Sequence, residues 1–411
     1  KRERERERER GINRILGMLR MSSSLWGAAM GRHGRRVLSQ STAVAAEASK
    51  LVPGENGVIH YTTPEVVTHL CEAPSREIET TKEQLMEMYH QMYTIRRMET
   101  LCDSLYKQRL IKGFLHLYSG QEAVAVGIEH AITPEDAAIS AYRCHGFQYV
   151  RGDSVESIIA EVCGKVTGCS KGKGGSMHMY RPNFLGGNGI VGAHVPVGTG
   201  VAFAQKYNQT KNVTVCAYGD GAANQGQLFE AFNMASLWKL PVVYVVENNM
   251  YAMGTSTERS YAGNVYYTRG DYVPGLLVDG MDILAVKRSM DFAVQNARDG
   301  MGPTIIEMKT YRYSGHSLSD PGTSYRTRDE VKAMRDSSDP IQGLKAKILH
   351  AEIATEDEFK AIEKEVRGVV QAAEKSAREA PDPGPEDLWT HILKEDTYAR
   401  GVELQNSHYP E

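Results

Sequence analysis

The chain has few cysteines, no long apolar run and no excess of positive charge, and each shortage removes a class of function. Its six cysteines (Cys71, Cys102, Cys144, Cys163, Cys169, Cys216) contain no CxxC pair and no metal-finger spacing, so they read as reduced, mostly packed thiols. No stretch approaches the roughly 18 apolar residues needed to span a bilayer. A net charge of −3 supplies no global positive field, which argues against nucleic acid or an anionic membrane as a partner. Acids are absent from Gly11 to Ala46, where the only formal charges are Arg14, Arg20, Arg32, Arg35 and Arg36 among Ser, Leu, Met and Ala. An Arg-rich, Ser-rich, acid-poor leader is the signature of an organelle transit peptide, here expected to be mitochondrial. Residues 1–10, a Lys/Arg–Glu alternation, carry no core; Met18 or Met21 is a candidate true start.

What remains is ordinary globular composition, 41% hydrophobic and 24% charged over 411 residues. Residues 51–80 hold Pro53, Pro64 and Pro74 and read as an irregular arm. Helical periodicity begins after Thr81, which offers a cap, and runs to about Gln108. Residues 164–200 are so rich in glycine that close turning around a ligand is expected rather than regular structure. The pattern then becomes strand, helix, strand: Val213–Tyr218, Gln225–Lys239 and Pro241–Val246, with a third buried strand at Thr304–Met308. Continuous apolar strands joined by a helix make βαβ units in a buried, mostly parallel sheet, so the fold class is α/β. Residues 81–395 form the expected main domain and 396–411 a tail.

In such a sheet, ligands bind beyond the carboxyl ends of the strands. Gly219-Asp220-Gly221 follows one apolar strand and Asn248-Asn249 the next, so the crossover brings them to one edge. A carboxylate, an amide oxygen and a backbone carbonyl are the hard ligands Mg²⁺ prefers, and Asp220, Asn249 and the carbonyl of Tyr251 supply them, with diphosphate oxygens completing the shell.

GDG followed about thirty residues later by NN is the thiamine diphosphate motif, and YGDGAANQGQLFEAFNMASLWKLPVVYVVENN resembles the alpha subunits of the thiamine diphosphate-dependent 2-oxo acid dehydrogenase E1 family. The resemblance spans about residues 60–395 and includes YRCHG, GGNGIVGAHVPVGTG and YRYSGHSLSDPGTSYRTR. It implies the thiamine diphosphate-binding fold, with Tyr142, Arg143, Gly221, Ala222 and His316 at the diphosphate, Gly189 and Val191 at the aminopyrimidine, and His116 and His316 as active-site histidines. The GHSLSDPGTSYR segment points to pyruvate rather than to a branched-chain 2-oxo acid or acetoin. A separate beta subunit, supplying the glutamate that activates the cofactor in an α2β2 tetramer, is implied, as are the lipoyl domain of E2 as acceptor and the mitochondrial matrix as location. Ser317, Ser324 and Ser256 match phosphorylation sites served by a dedicated kinase and phosphatase. Departures from the family pattern are Ser314, where histidine is usual, Arg181, where alanine is usual, Cys144 and His194.

Two glycine patterns are decoys. Gly187-Asn-Gly189-Ile-Val-Gly192 matches GxGxxG, but no clear strand is expected before it and no acid lies near Lys211-Asn212 to bind a ribose. Lys171-Gly-Lys-Gly-Gly-Ser176 looks like a phosphate loop yet fits GxxxxGK[ST] in no register.

Overall fold

The runs Thr214–Gly219 and Val242–Asn248 carry no charge until Glu247, and a strand apolar on both faces must be covered on both. In the computed structural model, which describes residues 50–263, 265–388 and 390–391, they lie side by side near the middle of a seven-stranded sheet. The expectations for the leader and the carboxyl-terminal tail fall outside the described residues.

Twelve strands occur among those residues: β1 (Leu51–Pro53), β2 (Val58–Thr62), β3 (Val67–His69), β4 (Glu77–Thr81), β5 (Ala137–Ala141), β6 (Phe184–Asn188), β7 (Thr214–Gly219), β8 (Val242–Asn248), β9 (Tyr251–Ala252), β10 (Thr255–Ser256), β11 (Gly275–Asp279) and β12 (Thr304–Lys309). The main sheet has the order β3-β11-β12-β8-β7-β5-β6. Every pairing in it is parallel except that of β3 with β11. The helices are α1 (Lys82–Lys107), α2 (Glu122–Glu129), α3 (His145–Val150), α4 (Val155–Val162), α5 (His194–Tyr207), α6 (Gly226–Leu237), α7 (Thr257–Ser260), α8 (Ile283–Arg298), α9 (Arg328–Ser338), α10 (Pro340–His350) and α11 (Glu356–Glu379). The α/β expectation holds.

The pleat divides the sheet's side chains between two cores. Val215, Ala217, Val243, Val245, Ile306 and Met308 join the core that α1, α2, α8 and α11 cover; Cys216, Tyr218, Tyr244, Val246 and Ile305 join the one under α5 and α6. Helix α1 starts where Thr81 Oγ1 accepts from the Gln84 N–H at 3.3 Å, and it buries Leu85, Met88, Tyr89, Met92, Ile95 and Met98 at helical spacing. Each such side chain contributes about 1.5–3 kcal/mol on burial.

Three expectations need correcting. The arm is not irregular: β1, β2 and β4 form an antiparallel sheet, and β3 pairs with the edge of the main one. Residues 164–200 are not all loop, because β6 and the first half of α5 lie within them. A strand therefore does precede the GxGxxG pattern; its sequence, Phe-Leu-Gly-Gly-Asn, is too poor in side chains to show a strand period. The missing ribose-binding acid still argues against a dinucleotide.

Candidate active site

Six parallel strands end on one edge, and the residues just past five of those ends are the ones singled out above. Tyr142 and Arg143 follow β5, Gly189 and Val191 follow β6, Asp220 follows β7, Asn249 to Tyr251 follow β8, and the segment to His316 follows β12. His116 arrives from the other direction, in the connection between α1 and α2.

Asp220 and Asn249 are both buried. Asp220 Oδ2 and Asn249 Oδ1 have no hydrogen-bond partner among the described residues, although an unsatisfied buried acceptor costs about 1–3 kcal/mol. Burial pushes the Asp220 carboxyl up to about 6; its own N–H, that of Asn249 and the guanidinium groups of Arg312 and Arg143 pull the other way. Asn249 Nδ2 is taken, donating to Gln121 Oε1 at 3.0 Å, so its oxygen is the end left over. The Tyr251 carbonyl receives a long contact of 3.5 Å from Arg312 Nη1. Two unpartnered hard oxygens beside a carbonyl are a donor set for a divalent cation. Gly221 has ordinary helical backbone angles (φ −65°), so its lack of a side chain matters for space: a Cβ there would come within 2.8 Å of Ala252 Cβ. Ala222, next to it, is buried.

The second cluster is aromatic and cationic. The His116 ring centroid lies 4.5 Å from that of Tyr142 and 5.2 Å from that of His316, and Tyr142 lies 5.5 Å from His316. Burial, then Arg143, lowers His116 to about 3 and His316 to about 4, so both are neutral imidazoles at physiological pH. His116 Nδ1 has no partner among the described residues. Arg143, expected to fork onto a diphosphate, uses Nη1 on the Leu117 carbonyl (2.5 Å) and Nη2 on the His316 carbonyl (2.9 Å), tying both histidine segments together. Sequence reasoning missed Arg312, which is fully buried and donates from Nε to the Ser314 carbonyl (3.1 Å) and from Nη2 to the Tyr325 hydroxyl (3.0 Å). Two guanidinium groups beside the empty-handed oxygens give the site the charge that a bound anion requires.

The segment Ser314–Arg328 is cross-linked rather than loose. Asp320 Oδ2 accepts from the His316 N–H (2.7 Å) and the Tyr325 hydroxyl (2.5 Å), Asp320 Oδ1 accepts from the Gly322 N–H (2.8 Å), and Arg326 donates to the carbonyls of Arg312 and Ser314. Ser317 is buried within it, its hydroxyl 2.8 Å from that of Ser319, whereas Ser324 is exposed and Ser256 half-buried on β10.

Gly189 and Val191 lie in the loop between β6 and α5, where Val191 is exposed and Gly189 packs near His178. The phosphate-loop lookalike is accounted for otherwise. Glu161 of α4 is fully buried, with Oε2 accepting the N–H groups of Ser170 and Gly172 and Oε1 those of Gly174 and Gly175, at 2.8–3.0 Å. The loop's donors serve the protein's own carboxylate, and a nest so filled has no place for phosphate.

A family model described as "Dehydrogenase E1 component" matches residues 90–386, most of the chain and every candidate site residue. The chain belongs to the dehydrogenase E1 component family. It is 54% identical over 356 residues to the pyruvate dehydrogenase E1 component subunit alpha, mitochondrial, of Dictyostelium discoideum, covering 87% of this chain and 94% of that one. It is 56% identical to the pyruvate dehydrogenase E1 component subunit alpha type II, mitochondrial, of Ascaris suum (79% and 83% covered) and 52% identical to the pyruvate dehydrogenase E1 component subunit alpha, mitochondrial, of Sminthopsis macroura (80% and 91%). E1 components of this family depend on thiamine diphosphate, which agrees with a site built from unpartnered oxygens and guanidinium groups.

Against that family background, the departures find local explanations. Arg181 turns to Asp153, with Nη1 3.9 Å from its carboxylate. Ser314 contributes its backbone carbonyl to Arg312 and Arg326. His194 Nε2 donates to the Ala217 carbonyl at 2.8 Å, and the Cys144 thiol to that of Ser176 at 3.5 Å. Behind the site lie polar residues to which the motifs gave no role: Glu247, Gln121 and Tyr118 on one side, Glu99, His145 and Ser176 on the other. Gln121 accepts directly from Asn249 Nδ2 (3.0 Å) and the Ser176 hydroxyl from the His116 N–H (3.3 Å), contacts between residues far apart in the chain that sequence spacing does not reveal. No helix among the described residues is long and apolar enough to cross a membrane.

Proposed function

We propose that the chain is the alpha subunit of a mitochondrial pyruvate dehydrogenase E1, which decarboxylates pyruvate with thiamine diphosphate and passes the two-carbon unit to lipoamide. The observation that carries this reading is the pair of buried, unpartnered oxygens on Asp220 and Asn249 at the ends of adjacent parallel strands, in a chain whose relatives are named for pyruvate dehydrogenase. Asp220 Oδ2, Asn249 Oδ1 and the Tyr251 carbonyl would hold Mg²⁺. Tyr142, Arg143, Gly221, Ala222 and His316 would meet the diphosphate, and Gly189 and Val191 the aminopyrimidine. The cofactor, when bound, supplies the nucleophile and the electron sink for decarboxylation. This chain's residues orient it, exclude water and offer neutral imidazoles: His116, with Nδ1 unpaired, is suited to exchange a proton with the substrate.

The aromatic cluster of His116, Tyr142 and His316 favours a small 2-oxo acid over a branched-chain one, as do the relatives' names. The activating glutamate is assigned to a beta subunit in an α2β2 tetramer, the acceptor to the lipoyl domain of E2, and the site of action to the mitochondrial matrix. Ser317, Ser324 and Ser256 are the proposed targets of a kinase and phosphatase. A phosphate on buried Ser317 would add nearly two negative charges beside Asp320 and displace the segment that carries His316. Co-expression with a beta subunit tests the proposal. Pyruvate decarboxylation should require both chains, Mg²⁺ and thiamine diphosphate, and should exceed that of a branched-chain 2-oxo acid; activity of this chain alone would refute it.

A further inference from the structure

An amide ligand to a cation has a polarity problem that a carboxylate does not. Asn249 presents one oxygen and one NH₂ of similar size, and only the oxygen can coordinate. Something must decide which end faces Asp220.

The hydrogen bonds behind Asn249 make that decision in three steps. Glu247 is fully embedded at the end of β8, and its Oε1 accepts from the Tyr118 hydroxyl and, at 3.1 Å, from Gln121 Nε2. With its NH₂ committed to Glu247, Gln121 turns Oε1 toward Asn249 and accepts from Nδ2 at 3.0 Å. Asn249 Oδ1 is thereby left as the buried, unpartnered end. Flipping Gln121 would set two oxygens against each other at Glu247 and two NH₂ groups against each other at Asn249. Flipping Asn249 alone would set its Oδ1 against Gln121 Oε1, oxygen to oxygen. With Glu247 Oε1 accepting from both Tyr118 and Gln121, only this arrangement satisfies the row.

The row is also fixed in space. Gln121 immediately precedes α2, after a turn in which Gly120 has φ +101° and lies so close to the Tyr311 carbonyl that a Cβ would approach it to 2.2 Å. The Tyr118 N–H donates to Glu99 Oε1 at 2.9 Å, anchoring the other end.

We infer that Gln121, locked by Glu247 and Tyr118, is a positioning residue that sets the polarity of the Asn249 amide and so presents its oxygen to the divalent cation. This rests on the assignment of Asn249 as a cation ligand. Outer partners of metal ligands typically contribute about 10- to 100-fold to metal affinity.

The test measures Mn²⁺ affinity, by its paramagnetic resonance signal, in the tetramer co-expressed with the beta subunit and saturated with thiamine diphosphate. Gln121→Met, similar in volume but without polar atoms, should weaken Mn²⁺ binding about 10- to 100-fold. Asp has two equivalent oxygens and needs no orienting, so in an Asn249→Asp background the same change should leave Mn²⁺ affinity unchanged or tighten it, by removing an oxygen that faces the carboxylate. Equal weakening in both backgrounds, as a packing defect would produce, or no weakening in either, would overturn the inference. Asn249→Ala separates the underlying reading: unchanged Mn²⁺ affinity there removes the ligand assignment and this inference with it. If Gln121→Met fails to assemble, the exchange Gln121→Glu with Glu247→Gln decides, since it keeps an acceptor toward Asn249 and a donor–acceptor pair between positions 121 and 247: retained Mn²⁺ binding supports the role and lost binding overturns it.

Discussion

The two halves of the candidate site are held by different means. Asp220 and Asn249 sit one residue beyond β7 and β8, so the hydrogen-bonded ladder of the sheet positions them almost directly. His316 sits seven residues beyond β12, in a segment whose shape depends on Asp320, Arg312 and Arg326 bonding to its carbonyls and N–H groups. A site element fixed by a sheet changes little short of unfolding. One fixed by a few side chains can be switched by a single charge, and the serines Ser317 and Ser324 lie in that second half.

The comparison breaks first at Asp220. Asp220→Ala should abolish Mg²⁺-dependent binding of thiamine diphosphate, weakening it by more than about 100-fold, since removing even outer partners costs up to that much; titration calorimetry checks this. Ser317→Glu should lower turnover on the order of 100-fold by displacing His316. Its cation affinity should stay near that of the unsubstituted chain, because the strand-end half is untouched. A parallel loss of turnover and cation affinity would show that the halves are not independent.

Two smaller effects sharpen the contrast with parts of the molecule outside the site. Glu161→Gln replaces a carboxylate that accepts four N–H groups with an amide that turns an NH₂ toward two of them. It should destabilise the fold by about 3 kcal/mol, read from chemical denaturation, while leaving the cation affinity of the folded enzyme unchanged. His194 is held down to about 4 by burial, against 6.5 for the free side chain. As pH falls below 6.5 the unfolded chain takes up this proton and the folded one does not until about 4, so stability is lost across that window, by at most about 3 kcal/mol. His194→Gln, which can still donate to the Ala217 carbonyl, should flatten the decline in stability between pH 6.5 and 4. His116 and His316 act in the same direction and keep the remaining slope.

What the amino-acid sequence revealed followed the strength of the local signal. Strands β7, β8 and β12 are continuous apolar runs and were legible, as were α1 with its Thr81 cap and the placement of the candidate residues just past the strand ends. Strand β5 (Ala-Ala-Ile-Ser-Ala) and strand β6 have side chains too small to show a period, and the latter's glycine is needed where a Cβ on Gly187 would come within 2.6 Å of Cys144 Sγ. The short strands of the arm were hidden among prolines. The glycine loop at 170–176 could not be distinguished from a phosphate loop until the partner of its N–H groups, Glu161, was seen. Gln121 and Glu247 escaped because they work through Asn249, and the separation of 128 positions from Gln121 to Asn249 is bridged only by the fold.

The account's central claim is that the strand-end oxygens hold the divalent cation. A crystal structure of the tetramer with thiamine diphosphate and Mn²⁺ in place of Mg²⁺ tests it most directly. An anomalous peak about 2.0–2.2 Å from Asp220 Oδ2, Asn249 Oδ1 and the Tyr251 carbonyl is the expected result; a cofactor bound with its cation on other residues would contradict it.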